Sequence, residues 1–249
     1  MHKQLLTNPQ CSKPRPLKAR DLLSGKRATF QRDYPMDAIA NALIWLDYAA
    51  VAVFGATGAL AAARQRHDIV TFGFFAAVTG VGGGTLRDLL VGAPVFWVAQ
   101  PGYVVACLAA ALVVWLIGPG KGPHAQRLRV LLWLDALGMA AYCVVGAAKA
   151  GALGAPPFSA MVMGVLTACF GGVIRDVLAH APSVLLRREI YVTCAVLGAG
   201  AFVLLEMIGV GGLASGLTGF TVAFAIRAGA ILWNWSLPSF PGRSDSPTS

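Results

Sequence analysis

One segment of this chain recurs 88 residues downstream, and that recurrence constrains the fold more than any other feature. Val81-Gly82-Gly83-Gly84-Thr85-Leu86-Arg87-Asp88 returns as Cys169-Phe170-Gly171-Gly172-Val173-Ile174-Arg175-Asp176. The same offset carries Trp45-Leu46-Asp47 onto Trp133-Leu134-Asp135, Pro94 onto Pro182 and Tyr103 onto Tyr191. So many matches at one spacing, with no insertion between them, mark the duplication of a unit of about 85–90 residues. Each copy sets paired glycines and an Arg-Asp pair in an otherwise apolar segment. Such ions are expensive in lipid and point to a transport pathway.

Apolar residues make up 57% of the 249 and charged residues 12%, with a mean hydropathy of +0.67. Soluble domains carry roughly 25% charged residues, so the chain reads as an integral membrane protein. A crossing helix needs about 20 mostly apolar residues. On that scale seven spans emerge, at 40–63, 69–91, 97–118, 129–149, 156–178, 190–209 and 212–234. The loops are too short to hold a soluble domain. The expected fold is an all-α bundle of seven membrane helices: two three-helix repeats, 38–118 and 129–209, and a seventh helix within 210–236. A linker at 119–128 and a tail at 237–249 complete the chain.

The net charge of +9 is concentrated at one end. Residues 1–35 hold eight basic side chains against two acidic ones, a net of +6. This extension, 1–37, contains prolines and has no apolar periodicity, so it is expected to be disordered. It has no apolar core of the kind a cleavable signal carries. A charge so placed does not make a nucleic-acid surface. The short loops set the orientation. Those after spans one, three and five hold Arg64, Arg66, Lys121, Arg127, Arg129, Arg187 and Arg188, whereas those after spans two, four and six hold at most Lys149. The basic set belongs in the cytoplasm, with the linker and the C-terminal tail, which leaves the N-terminus outside. Arg64 and Arg66 map onto Ala152 and Gly154, and Arg187 and Arg188 map back onto Ala99 and Gln100. Basic residues thus occur only in the copy that faces the cytoplasm, as two units inserted in opposite senses require. An outside N-terminus conflicts with the basic extension, and a true start at Met36 would remove the conflict.

The five cysteines have no metal or redox spacing and read as packing thiols. The four histidines lie in the extension or at helix ends, so no metal site and no cofactor is expected. No catalytic set or phosphate loop is visible, which argues against an enzyme.

Gly82, Gly83 and Gly84 lie in span two, and Gly171 and Gly172 in span five. Contiguous glycines exceed what a packing groove requires, and an ion pair follows one turn later. A kinked or broken helix is therefore favoured over simple close packing. Arg87, Asp88, Arg175 and Asp176 act either as anchors near span ends or as braces across the two units. Adjacent helical residues do not face each other, so Arg87 need not pair with Asp88. Asp47 and Asp135 should face the bundle interior, where Asp47 would partner Arg175, Asp135 would partner Arg87, or both would line a cation route. Lys149 and Arg227 have no repeat counterpart and are candidates for a gate or a pathway mouth. Trp97, Trp115, Trp233 and Trp235 suit an interfacial belt.

On these motifs, together with Pro94-Val95-Phe96-Trp97 and Thr79-x-Val81, the chain resembles bacterial members of the trimeric intracellular cation (TRIC) channel family. The same sequences are also grouped under a glycine-transporter type of domain. The resemblance covers about residues 38–240. It implies two inverted three-helix repeats, a seventh helix and a homotrimer with an ion path in every protomer, beside glycine-kinked helices. Phe170 stands where the second glycine cluster would begin, so span five is expected to bend less than span two. The implied function is passive conduction of a monovalent cation, potassium foremost, through a bacterial inner membrane. A secondary carrier of a small zwitterion such as glycine and a membrane scaffold are the alternatives.

Overall fold

A computed structural model describes residues 36–118, 124–180, 190–233 and 235–236. Everything before Met36, with Lys121, Arg187, Arg188 and the tail 237–249, lies outside the described residues. Eight helices follow in order: α1 Met36–Arg64, α2 Ile69–Val91, α3 Phe96–Ala99, α4 Gly102–Ile117, α5 His124–Ala152, α6 Pro157–Leu178, α7 Val192–Met207 and α8 Gly212–Trp233. Five of them (α1, α2, α5, α6 and α8) are long and apolar enough to cross a membrane. The chain is an all-helical, multi-pass membrane protein. Large apolar side chains such as Trp45, Val70, Phe158 and Leu217 stand on its exterior, as lipid permits and water would not.

Span three departs from its expected course. In place of one helix over 97–118, a single turn, α3, is followed by the 16-residue α4. Pro101 lacks an N–H and disfavours helical backbone at Gln100, so the turn ends there. α7 is also 16 residues long, shorter than the expected 190–209. At about 1.5 Å per residue, 16 residues reach roughly 24 Å, less than the roughly 30 Å of a hydrocarbon core.

Chain punctuation follows local chemistry. Asp68 caps α2 by accepting from the Thr71 N–H at 2.8 Å. That hydrogen bond, with a second from the Thr71 side chain, holds the exposed Asp68 carboxyl below its usual 3.8. α2 ends at Gly92, whose φ of 72° is left-handed and whose N–H returns to the Asp88 and Leu89 carbonyls. Pro157 opens α6, where its missing N–H has no helical partner to lose.

The interior is lined by small residues, among them Ala50, Ala76, Ala140, Ala168 and Ala199, which let backbones approach closely. α2 packs on α6 and α4, and α5 packs on α6, α7 and α8. Cys107, Cys143, Cys169 and Cys194 are buried and free.

Candidate functional site

The crossing of α2 and α6 organises the interior. A Cβ added to Gly83 would run into the Thr167 carbonyl oxygen, and one added to Gly171 would run into the Thr79 carbonyl oxygen. Thr79 and Thr167 are 88 residues apart, as are Gly83 and Gly171, so the contact is reciprocal. The threonine hydroxyls are seated in the same paired way. A Cβ on Gly58 of α1 would stand 2.7 Å from Thr79 Oγ1, and one on Gly146 of α5 would stand 2.7 Å from Thr167 Oγ1. Phe54 and Tyr142, a further pair at this offset, stack with ring centroids 5.1 Å apart. Tyr142 Oη then donates to the Gly80 carbonyl at 2.8 Å.

Of the two forms expected, a kinked helix or a broken one, the broken form is corrected. α2 runs unbroken over 23 residues and α6 over 22, straight through both glycine clusters. Gly83 and Gly171 bring two backbones into contact. Gly84 makes room for the Phe96 ring, Gly82 faces Ile174, and Gly172 faces Tyr191, Asp135 and Arg175. All five glycines stand where another side chain or backbone comes close.

The first buried charge cluster joins α1, α2, α3, α4 and α5. Tyr103 Oη donates to Asp47 Oδ2 at 2.8 Å, and Lys149 Nζ forms an ion pair with the same oxygen. The Lys149 ammonium lies 5.2 Å from the Phe96 ring centroid and 5.7 Å from that of Tyr103. Arg87 Cζ lies 5.7 Å from the Phe96 centroid, so this ring contacts both cations. Arg87 Nε and Nη2 both donate to Asp88 Oδ1, at 2.9 and 2.7 Å, and Asp88 Oδ2 accepts the Phe96 N–H at 2.9 Å. Trp97 turns inward and donates to Thr85 Oγ1 at 2.9 Å, a role different from the interfacial one expected of it. A cavity of about 330 Å³ opens onto this cluster, with Asp47, Lys149, Tyr103 and Phe96 in its wall. Asp47 is 2% exposed at its side chain and Lys149 is 34% exposed, so the acid lies deep and the lysine at the rim.

The second cluster is closed. Arg175 Nη1 donates to Asp135 Oδ1 at 2.7 Å and to Thr57 Oγ1 at 3.1 Å, while Nε donates to Asp176 Oδ1 at 2.9 Å. Arg175 and Asp135 are wholly buried. Arg227 of α8 lies over the Tyr191 ring, with Cζ 5.1 Å from its centroid, also fully buried and not in the cavity wall.

The expected pairings across the repeats are therefore corrected. Arg175 pairs with Asp135 of its own unit, and Asp47 pairs with Lys149. Among the described residues no ion pair joins Arg87 to Asp135 or Arg175 to Asp47. Arg87 does pair with its neighbour Asp88, because a long buried guanidinium can fold back along its own helix. The cross-unit contacts these charged groups do make run from Lys149 to Asp47 and from Arg175 to the hydroxyl of Thr57. Thr167 and Tyr142 escaped notice in the sequence and Thr79 entered only through a family motif, although extending the 88-residue alignment by a few positions would have exposed all three as paired positions. Thr57 left no such signal, since its counterpart is Val145.

The family model described as Glycine transporter matches this chain twice, over residues 44–119 and 132–207. Both ends of the second match lie 88 residues beyond those of the first. A solved structure of the TRIC trimeric intracellular cation channel orthologue from Rhodobacter sphaeroides is 47% identical. It superposes with a TM-score of 0.74, covering 78% of this chain and 99% of that one. The chain belongs to the TRIC channel family. A second solved TRIC cation channel is 26% identical with a TM-score of 0.70, over 80% of this chain and 97% of that one. Among curated relatives, the TRIC-family chain described here is 38% identical to the inner membrane protein YadS of Escherichia coli K12, over 79% of its own length and 95% of the relative's. It is 36% identical to a membrane protein of Vibrio cholerae, over 82% and 85% respectively.

Proposed function

We propose that this chain is a passive monovalent-cation channel, carrying potassium, that works as a homotrimer in a bacterial inner membrane with one pathway in each protomer. The observation that carries the reading is the cavity ending on Asp47. A carboxylate deep in an apolar wall, beside two aromatic faces and a phenol, is a resting place for a cation on its way through. The likeness to solved cation channels supports it. Lys149 is the gate at this mouth: its ammonium holds the acid and the ring faces that a passing cation would use. Gly82, Gly83, Gly84, Gly171 and Gly172 shape the path by holding α2 and α6 together beside it. α1, α2 and α4 form one inverted unit and α5, α6 and α7 the other, with α8 unpaired. The reciprocal Thr79–Gly171 and Thr167–Gly83 contacts support that reading. Arg64 and Arg66 face the cytoplasm, as does the C-terminus, and the N-terminus lies outside.

Recording from purified protein in planar bilayers under asymmetric KCl tests the reading. Unitary currents that reverse with the potassium gradient are expected, and their absence from correctly assembled protein would overturn it. A carrier of a small zwitterion is the second reading, since the cavity wall presents an ammonium and a carboxylate together. Saturable uptake of labelled glycine into proteoliposomes, without unitary currents, would favour it.

A further inference from the structure

The two units treat one hydrogen bond differently. In the first, Tyr103 Oη donates directly to Asp47 Oδ2 at 2.8 Å. In the second, the matching residues are Tyr191 and Asp135, yet among the described residues Tyr191 Oη and Asp135 Oδ2 make no hydrogen bond, and neither does Arg175 Nη2 beside them. All three atoms are buried. Leaving such groups unpaired is among the more destabilising arrangements open to a protein interior. The three side chains meet beside Gly172: Tyr191 Oη lies 3.1 Å and Arg175 Nη2 3.5 Å from the point where a Cβ there would stand, and Asp135 approaches it with its other oxygen, Oδ1, at 3.4 Å. Gly172 contributes no side chain of its own between them.

We infer that the second charge cluster binds one water molecule, which replaces the direct tyrosine-to-aspartate bond of the first unit. Donor and acceptor roles limit the ligand class. Arg175 Nη2 can only donate there, the carboxylate oxygen Asp135 Oδ2 accepts, and Tyr191 Oη can do either. A small molecule that both accepts and donates hydrogen bonds satisfies all three, which water does. A metal cation would face the guanidinium of Arg175, while a halide would face the carboxylate of Asp135. The site needs two to four polar partners for a buried water and has three. Its structural consequence is to link α6, through Arg175, to Tyr191, and thereby to the ring on which Arg227 of α8 rests.

Substituting Tyr191→Phe tests this with a sign. Phenylalanine keeps the ring beneath Arg227 and removes only the hydroxyl. If water bridges the hydroxyl, the variant should melt lower in detergent, by about 2–4 °C on the scale of roughly 1 kcal/mol for a chain of this size. A dry site would give the opposite result, because deleting an unpaired buried hydroxyl leaves Tm unchanged or raised, and that outcome would overturn the inference. Should the variant fail to assemble, wild-type density decides. A spherical peak within hydrogen-bond reach of Tyr191 Oη, Asp135 Oδ2 and Arg175 Nη2 is expected at high resolution. An empty map there, or anomalous signal from soaked bromide, would overturn the assignment. None of these readouts uses conductance, so they stand or fall apart from the channel reading.

Discussion

Arg87 and Arg175 occupy the same place in the duplicated unit, yet their surroundings have diverged. Arg175 has two acids and a hydroxyl, and Arg87 has one acid, its own neighbour. Two substitutions explain the difference. Thr57 offers Arg175 an oxygen from the other unit, where the residue matching Thr57 is Val145, which has none to offer Arg87. Lys149 takes Asp47, where the residue matching Lys149 is Ala61, so Asp135 is left for Arg175. From matching sets of residues, the second unit has a closed charge cluster and the first has one that opens onto a cavity, with Lys149 at its rim. Duplication supplies the parts, and small departures from symmetry divide the labour.

The largest expected effect tests that division. Arg175→Ala should lower stability by about 3–5 kcal/mol, because Asp135 would be left buried without its cation. Arg87→Ala should lower it less, since Asp88 keeps the Phe96 N–H. Thermal unfolding in detergent measures both, and equal losses would break the comparison. Pairing sharpens it further. Arg175→Ala combined with Asp135→Ala should destabilise less than the two single changes added together, whereas Arg87→Ala combined with Asp135→Ala should be additive. Coupling in the second cycle would restore a cross-unit ion pair that the geometry does not contain.

The helix crossing comes next, and here the two units should behave alike. Gly83→Ala and Gly171→Ala each push a methyl into a backbone carbonyl, which cannot swing aside as a side-chain tip can. Losses of about 1–3 kcal/mol are expected for each, and they should be similar. A stabilised alanine variant at either position would show that the crossing relaxes freely and that the reciprocal packing means little.

Much of this was legible in the sequence. The offset of 88 located the glycines, the ions and the two tyrosines, and hydropathy placed α2 to the residue. Two kinds of information were not. Contiguous glycines read as a kink or a break because propensity is local, whereas the contacts of Gly83 and Gly171 lie on another helix. Charge partners were equally hidden. Periodicity gives the face of a helix, but the reach of an arginine lets it choose between a neighbour and a distant acid. That choice turned on Thr57 and Lys149, the positions where the repeat fails.

A smaller effect is expected at the mouth. Lys149→Met should raise unitary potassium conductance or open probability, by freeing Asp47 and the faces of Phe96 and Tyr103. Stability should fall by no more than about 1 kcal/mol, because a third of the lysine side chain meets solvent and such pairs are weak. Asp47→Asn should reduce conductance in the same bilayer recording. If Lys149→Met leaves currents unchanged, the first cluster is a brace like the second, and the contrast between them is one of geometry alone.

The smallest effect concerns how the two crossing helices begin. α2 starts on the Asp68 carboxylate, whereas α6 starts on Pro156-Pro157 with no side-chain cap. The Thr71 hydrogen bonds favour the charged form of Asp68, so its folded pKa lies below the ordinary 3.8. A group depressed in this sense contributes stability that is fully present above its unfolded pKa. That contribution is lost as pH falls through the folded value. Lowering pH from neutrality to below 3.8 should therefore loosen the first turn of α2 and leave that of α6 unaffected. Hydrogen exchange at the Thr71 amide, corrected for intrinsic rates and compared with the Ala160 amide at the start of α6, reads the difference. Asp68→Ala should give the loosened turn at every pH. Equal acid sensitivity at both helix starts would show that protonation elsewhere, and not the cap, controls them.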